Sequence, residues 1–223
     1  MIVPIANVLD GETLTQVREL LGQGTYVDGK HSAGWHARLV KNNSQLKASE
    51  ASQRAGTIIR DALMRSEVFK AAVRPHHLRP MMFSRYSDGQ NYGAHVDDAI
   101  MGRGDDVTRS DVSLTVFLSD AADYEGGELV IEGTGGEQTF KLDAGGVITY
   151  PSNTLHYVAP VTSGTREVAV SWAQSLVRDP QHREMLFDLD TARRSLFQRE
   201  GKSREFDLIS KTHANLLRMW AET

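Results

Sequence analysis

The chain has 223 residues, 25 lysines and arginines against 29 aspartates and glutamates, 40% apolar residues and no cysteine. That length and balance fit one generous globular domain, or a domain with a helical appendage, and exclude fibrous, disordered and membrane-embedded classes. A formal net charge of -4 offers no basic field for wrapping nucleic acid. Without cysteine there is no disulfide, iron–sulfur cluster or thiolate zinc site, so any metal must be held by His, Asp or Glu.

The N-terminal stretch MIVPIANVLDGETL lacks a basic leader and is interrupted by Pro4 and Asn7, unlike a secretion signal. No apolar run approaches the roughly 20 residues of a membrane helix, so a cytoplasmic, membrane-free protein is expected. Asp10 is a good N-cap for a helix over Glu12 to Leu21, whose stripe is Leu14, Val17 and Leu21 and whose stop is Gly22. The pattern then predicts one long helix from about Gln45 to Val73, with Ile58, Ile59, Ala62 and Leu63 as its apolar stripe and Pro75 as its end. It is expected to pack outside a sheet.

From about His77 to Gln174 the pattern changes to short runs with period-two alternation, punctuated by Asp88-Gly89, Gly126-Gly127, Gly133 to Gly136 and Gly145-Gly146. In Val112 to Leu118 the residues Val112, Leu114, Val116 and Leu118 share a face; Glu128 to Glu132, Glu137 to Leu142, Gly146 to Tyr150 and Arg166 to Trp172 are further strands. Six to eight short strands with no helix between them predict a mainly β fold with flanking helices, its core a double-stranded β-helix or jelly roll. After Gln174 the helical period returns, around Leu186, Leu189 and Leu196 and then Leu208, Ile209, Leu216, Leu217 and Trp220, so two C-terminal helices follow. The expected divisions are an N-terminal helical and β support region over 1–76, the jelly-roll core over 77–176, and a C-terminal helical extension over 177–223. The stripe at Leu216, Leu217 and Trp220 suits either the core or a homo-oligomer interface. The basic cluster Arg193, Arg194, Arg199, Lys202 and Arg204 is interleaved with Glu200 and Glu205 and reads as a solvated helix face.

Within the strand region, Tyr92-Gly93-Ala94-His95-Val96-Asp97-Asp98 contains an H-x-D pair. Successive side chains of an extended segment point to opposite faces, so His95 and Asp97 project together and Asp98 points away. A third ligand is available at His156, inside the strand-like run Leu155-His156-Tyr157-Val158-Ala159. Two histidines and one carboxylate leave open positions on a metal, the arrangement of non-haem Fe(II) oxygenases. Arg166 shares parity with Val168, Val170 and Trp172 and so lies on an apolar face, where a guanidinium is costly unless an anion meets its planar fork. Each element has a common structural explanation; the combination favours a site that holds iron and an anionic co-substrate.

On these residues the chain resembles the PKHD-type hydroxylases, bacterial prolyl-4-hydroxylase-like Fe(II) and 2-oxoglutarate dioxygenases associated with iron-uptake genes. The likeness runs through Gly34 and Val40-Lys41-Asn42-Asn43, then Arg85-Tyr86, Gly89, Tyr92, His95 and Asp97, then Gly126-Gly127-Glu128-Leu129. It continues through Pro151-Ser152, His156, Val158, Gly164 and Arg166 and into the C-terminal helices. The resemblance implies Fe(II) at His95, Asp97 and His156, 2-oxoglutarate at Arg166, O2 as the other co-substrate and L-ascorbate as a reductant. Tyr86 and Tyr92 are further candidates for a hydroxyl donated to the co-substrate. The product would be a hydroxylated C–H bond on a peptidyl or free amino acid or a siderophore-like molecule, with succinate and CO2 formed alongside. A cupin-like metalloenzyme without 2-oxoglutarate, and a non-catalytic iron or 2-oxoglutarate sensor, are the alternatives; the first has no use for Arg166. The segment Asp98 to Ser110 is either a lid or an ordinary surface loop. His31, His36, His76, His77, His182 and His213 are expected in surface or capping roles.

Overall fold

The computed structural model describes all 223 residues. Two antiparallel sheets face each other. The larger follows the order β1 (Val3–Ile5), β14 (Val147–Pro151), β10 (Val112–Phe117), β17 (Arg166–Ser175), β6 (Met82–Tyr86), β4 (Ser44–Leu46), β2 (Tyr26–Asp28), with β5 (Pro75–Leu78) beside β17. The smaller follows β13 (Gly136–Phe140), β12 (Leu129–Gly133), β15 (His156–Val158), β7 (Asn91–His95), β3 (Lys41–Asn42). Two short ribbons, β8 (Ile100–Met101) with β9 (Thr108–Arg109) and β11 (Tyr124–Gly126) with β16 (Val161–Gly164), complete the jelly roll.

Strand parity sorts the core into two layers. Val112, Leu114, Val116 and Leu118 pack against the N-terminal helices together with Val147, Ala169 and Ala173. Phe117, Ile148, Tyr150 and Val168 point the other way and meet Leu129, Ile131 and Val158 of the smaller sheet. β10 is therefore buried on both faces. The four-residue apolar stripe read from the sequence is its helix-facing side, and the intervening Ser113 and Thr115 belong to the interior between the sheets.

The helix expected over Glu12 to Leu21 is α1 (Gly11–Gly22), capped by the Asp10 carboxylate, which accepts from the Thr13 N–H at 2.8 Å. The single helix expected from Gln45 to Val73 is a correction. Residues 44–46 form β4, and the helical part is two helices, α2 (Glu50–Arg65) and α3 (Glu67–Val73). Local hydrogen bonding sets both limits. Ser49 and Ser52 close a reciprocal capping box at the start of α2. The Ser66 N–H ends α2 on the Ala62 and Leu63 carbonyls, while its hydroxyl accepts from the Phe69 N–H and starts α3.

The C-terminal helices are present as α4 (Pro180–Glu200) and α5 (Arg204–Trp220), capped by Asp179 and Ser203. They pack on one another and α4 packs on α3. His213 does not take the expected surface role: it is buried, with Nε2 2.9 Å from an Arg74 guanidinium nitrogen. His182 stacks on Trp220 with ring centroids 3.9 Å apart. Within the basic cluster Arg193 is half-buried against Asp190, while Arg194 stays exposed and pairs with both Asp190 and Glu67. No helix is long and apolar enough to cross a membrane.

Candidate metal centre and active-site cavity

Between the sheets lies a cavity of about 430 Å³, and its wall includes all six residues singled out by sequence: Tyr86, Tyr92, His95, Asp97, His156 and Arg166. His95 ends β7 and His156 begins β15; the two strands pair antiparallel and place these residues directly opposite one another. Asp97 follows His95 by two positions and turns to the same side, whereas Asp98 is exposed. One ligand-type atom from each of His95, Asp97 and His156 lies within 4.8 Å of the others, with His156 Nε2 3.9 Å from Asp97 Oδ2.

The imidazoles are oriented by their own strands. His95 Nδ1 lies 2.8 Å from the Gly93 carbonyl and His156 Nδ1 lies 3.0 Å from the Thr154 carbonyl, so each Nδ1–H has an acceptor and each Nε2 is left as a lone-pair donor. Burial and the neighbouring His156 ring hold His95 well below the ordinary histidine range, at about 4, which keeps it the neutral base that a metal requires. Ser113 donates its hydroxyl to Asp97 Oδ2 at 2.5 Å and sits 2.8 Å from Ser152 Oγ. This donor set, two imidazoles and one carboxylate on the cavity wall, fits a non-haem Fe(II) ion.

Arg166 opens β17 opposite Tyr86 of β6. Its neighbour Glu167 faces outward and pairs with Arg85, so the parity argument places the guanidinium inside, where it is 1% exposed. Its Nε and Nη1 have no hydrogen-bond partner. Aromatic faces surround it instead, Tyr86 at 5.0 Å and Phe117 at 5.6 Å from the guanidinium carbon. Gly127 leaves room for its stem: a Cβ there would lie 3.0 Å from Arg166 Cδ, and φ at Gly127 is +67°. A buried guanidinium without an anion is costly; the residues present therefore fit a bound carboxylate such as that of 2-oxoglutarate.

Tyr92 stacks on the His95 ring at 3.7 Å and Tyr86 is fully enclosed, its phenol pushed up by burial. Ser113, Tyr150 and Lys41 also line the wall, with no site role expected for them from the sequence. Ser113 meets Asp97 and is backed by Ser152, Tyr150 meets His156 edge-on at 5.1 Å, and Lys41 is 4% exposed. The Lys41 ammonium donates to Ser32 Oγ at 3.0 Å and lies 5.0 Å from the centre of the Tyr92 ring. Burial lowers its pKa to about 8 against the pull of Asp97 and Asp28. The parity signal for Ser113 was available, since it alternates with the apolar residues of β10; Lys41 sits on a two-residue strand too short to show a period.

The Asp98 to Ser110 segment is a short ribbon at the cavity's edge, to which Ile100, Met101 and Gly102 contribute. It is pinned rather than free. Arg79 donates to the Asp106 carbonyl at 3.0 Å and pairs with its carboxylate at 3.2 Å, and Ser110 Oγ donates to the Asp98 carbonyl at 2.6 Å.

The 2OG-Fe(II) oxygenase superfamily model matches residues 81–174, and the PKHD-type hydroxylase C-terminal domain matches 180–222. A PKHD-type hydroxylase of Acaryochloris marina is 55% identical and one of Gloeothece citriformis 53% identical, each covering 100% of both chains. Among solved structures, a Trichoplax adhaerens prolyl hydroxylase in complex with a hypoxia inducible factor peptide fragment shares the fold at 14% identity, with a TM-score of 0.55 over 77% of this chain and 82% of that one. Full-length likeness to these relatives, with a His-Asp-His cluster at the centre of the matched barrel, places the chain in the PKHD-type hydroxylase family of iron- and 2-oxoglutarate-dependent dioxygenases.

Proposed function

We propose that His95, Asp97 and His156 bind Fe(II), that Arg166 holds the far carboxylate of 2-oxoglutarate, and that the enzyme hydroxylates an unactivated C–H bond of a peptidyl or free amino acid or a siderophore-like molecule. The observation that carries this reading is the convergence of the three ligand-type atoms in one cavity with a buried guanidinium whose Nε and Nη1 lack partners. Iron, 2-oxoglutarate and O2 together supply the oxidising power, with succinate and CO2 as co-products. Ascorbate is the reductant that keeps the metal ferrous.

The protein's part is orientation and shielding. The Gly93 and Thr154 carbonyls fix the two imidazoles, and Ser113 fixes the carboxylate between them. Arg166, whose Nε and Nη1 lack partners, would hold the far carboxylate of the co-substrate through its fork. Tyr86 would donate its hydroxyl to the same carboxylate, a role supported by its register opposite Arg166; Tyr92 braces the His95 ring by stacking on it. Walls of Leu129, Val158 and Val170 keep bulk water from the reacting centre.

The test is anaerobic titration with Fe(II) and 2-oxoglutarate, followed by the visible charge-transfer band of the ternary complex. Wild type should give the band, His95→Ala should abolish it, and Arg166→Ala should raise the 2-oxoglutarate Kd by about 10- to 100-fold, the worth of a charged hydrogen-bonded pair. A band that survives His95→Ala, or unchanged 2-oxoglutarate affinity in Arg166→Ala, would overturn the assignment.

A further inference from the structure

Two cations in the cavity wall have no carboxylate partner. Arg166 is one, on a central strand of the larger sheet. The other is Lys41, on the edge strand of the smaller sheet. Arg79, the third cation of the wall, is already paired with Asp106. Lys41 is as enclosed as a core residue, yet one serine hydroxyl and an aromatic face are all that meet its ammonium. Ser32 in turn donates to the Gly29 carbonyl at 3.1 Å, so it can only accept from Lys41, and two ammonium protons remain to be used.

The cavity's charges leave room for an anion here, an argument that rests on the proposed function. With iron and co-substrate bound, the metal's two charges and Arg166 are met by Asp97 and by the two carboxylates of 2-oxoglutarate. Lys41 is left with Asp98 of the same wall and with Asp28, neither of which is hydrogen-bonded to its ammonium, so two donor protons still lack an acceptor in a desolvated cavity, where that is expensive. Its position says where the acceptor comes from. Lys41 is flanked by the segment that brings Ser32, Ala33, Gly34 and Ala37 to the wall, and the same segment carries Trp35 outward at 82% exposure. Lys41 thus belongs to the mouth side, whereas Arg166 is walled in by Tyr86, Phe117 and the Gly127 turn.

We propose that Lys41 is a specificity-determining residue that anchors a carboxylate of the primary substrate. The substrate class is accordingly an acid, one whose carboxylate reaches the Lys41 ammonium while the reacting C–H bond faces the His95, Asp97 and His156 cluster. Neutral analogues of the same shape lose the anchor.

A carboxylate at Lys41 could come from the primary substrate or from 2-oxoglutarate itself, and the experiment separates the two. Anaerobic enzyme loaded with Fe(II) and 2-oxoglutarate is titrated with a panel of N-acetyl-L-amino acids and the matching N-acetyl-L-amino acid amides, each followed by its perturbation of the visible band. In wild type, the best-binding acid should outbind its amide by about tenfold or more. Lys41→Met, which keeps the stem and removes the charge, should bring that acid down to the level of its amide. The 2-oxoglutarate affinity of this variant should stay within about twofold, which also certifies its fold, and Lys41→Arg should retain a preference for acids. The proposal is overturned if Lys41→Met weakens 2-oxoglutarate about tenfold, if no acid outbinds its amide, or if the preference survives in Lys41→Met. Failure of wild type itself to form the band would instead sink the proposed function, and this inference with it.

Discussion

Ser113 governs how Asp97 presents itself to a cation. Its hydroxyl engages one carboxylate oxygen at 2.5 Å and is backed by Ser152, so the carboxylate cannot rotate freely about its last torsion. Groups of this kind orient ligands without touching the metal, and their loss costs about 10- to 100-fold in metal affinity. Ser113→Ala should therefore weaken Co(II) binding, followed by its absorption spectrum, by that factor while leaving the 2-oxoglutarate anchor at Arg166 intact. Equal metal affinity in the variant would make the contact incidental. At this scale the ligands were legible in the sequence because a two-residue period decides which side chains share a face: it chose Asp97 over Asp98 and turned Arg166 inward. Ser113 obeys the same rule but is hidden among apolar neighbours, whose shared face turns out to be the helix-facing one. Lys41 stands in a stretch that carries the resemblance, but no periodicity marks it for the cavity, because its burial depends on Ser32 and Tyr92, which approach it only after the chain has folded.

At the scale of elements, the C-terminal helices depend on a buried contact between two basic side chains. Arg74 closes α3 with φ +48° and donates to His213 Nε2 on α5, so the imidazole must be neutral. Burial, followed by the charge of Arg74, lowers the His213 pKa in the fold, with Arg193 and Arg194 adding to the effect and Asp190 opposing it. The unfolded chain, titrating near the ordinary value of about 6.5, takes up this proton first as the pH falls. The native state thus loses stability from that pH downward, until His213 protonates in the fold as well. His95 acts in the same sense in the metal-free protein, so the comparison must be made between variants. Metal-free wild type should lose more stability in urea between about pH 7 and pH 5 than His213→Gln, which can still accept from Arg74; parallel losses would show that the contact does not report on pH. The helices themselves were readable from their stripes and caps. The break at Ser66 was not, because Ile58 to Val73 keeps a nearly continuous helical period and one serine that both stops and starts a helix leaves no mark on it.

At the scale of the whole molecule, two sets of helices serve the jelly roll in different ways, the C-terminal pair packing on α3 of the N-terminal set. The N-terminal helices back the larger sheet through Val17, Ile59, Leu63 and Phe69, and the C-terminal pair reaches the cavity's border through polar contacts. Arg183, 4% exposed, donates to the Val177, Arg178 and Asp111 carbonyls. Arg109, within the ribbon at the cavity's edge, pairs with both Asp111 and Glu222. The barrel could be foreseen from short strands punctuated by glycine, but not which of its two sheets the helices would cover, since β10 and β17 present apolar residues on both faces.

The three tryptophans divide among these parts in a way that makes the protein report on itself. Trp35 stands in solvent beside the mouth, Trp172 lines the cavity, and Trp220 is stacked on His182 between the last two helices. Variants that keep one tryptophan and replace the others with phenylalanine would give three separate emission signals. Metal loading should quench the Trp172 variant most strongly, acid should move the Trp220 variant first, and an acidic substrate arriving at the mouth should be seen by Trp35. Binding, helix docking and entry can thus be timed separately in one unlabelled chain.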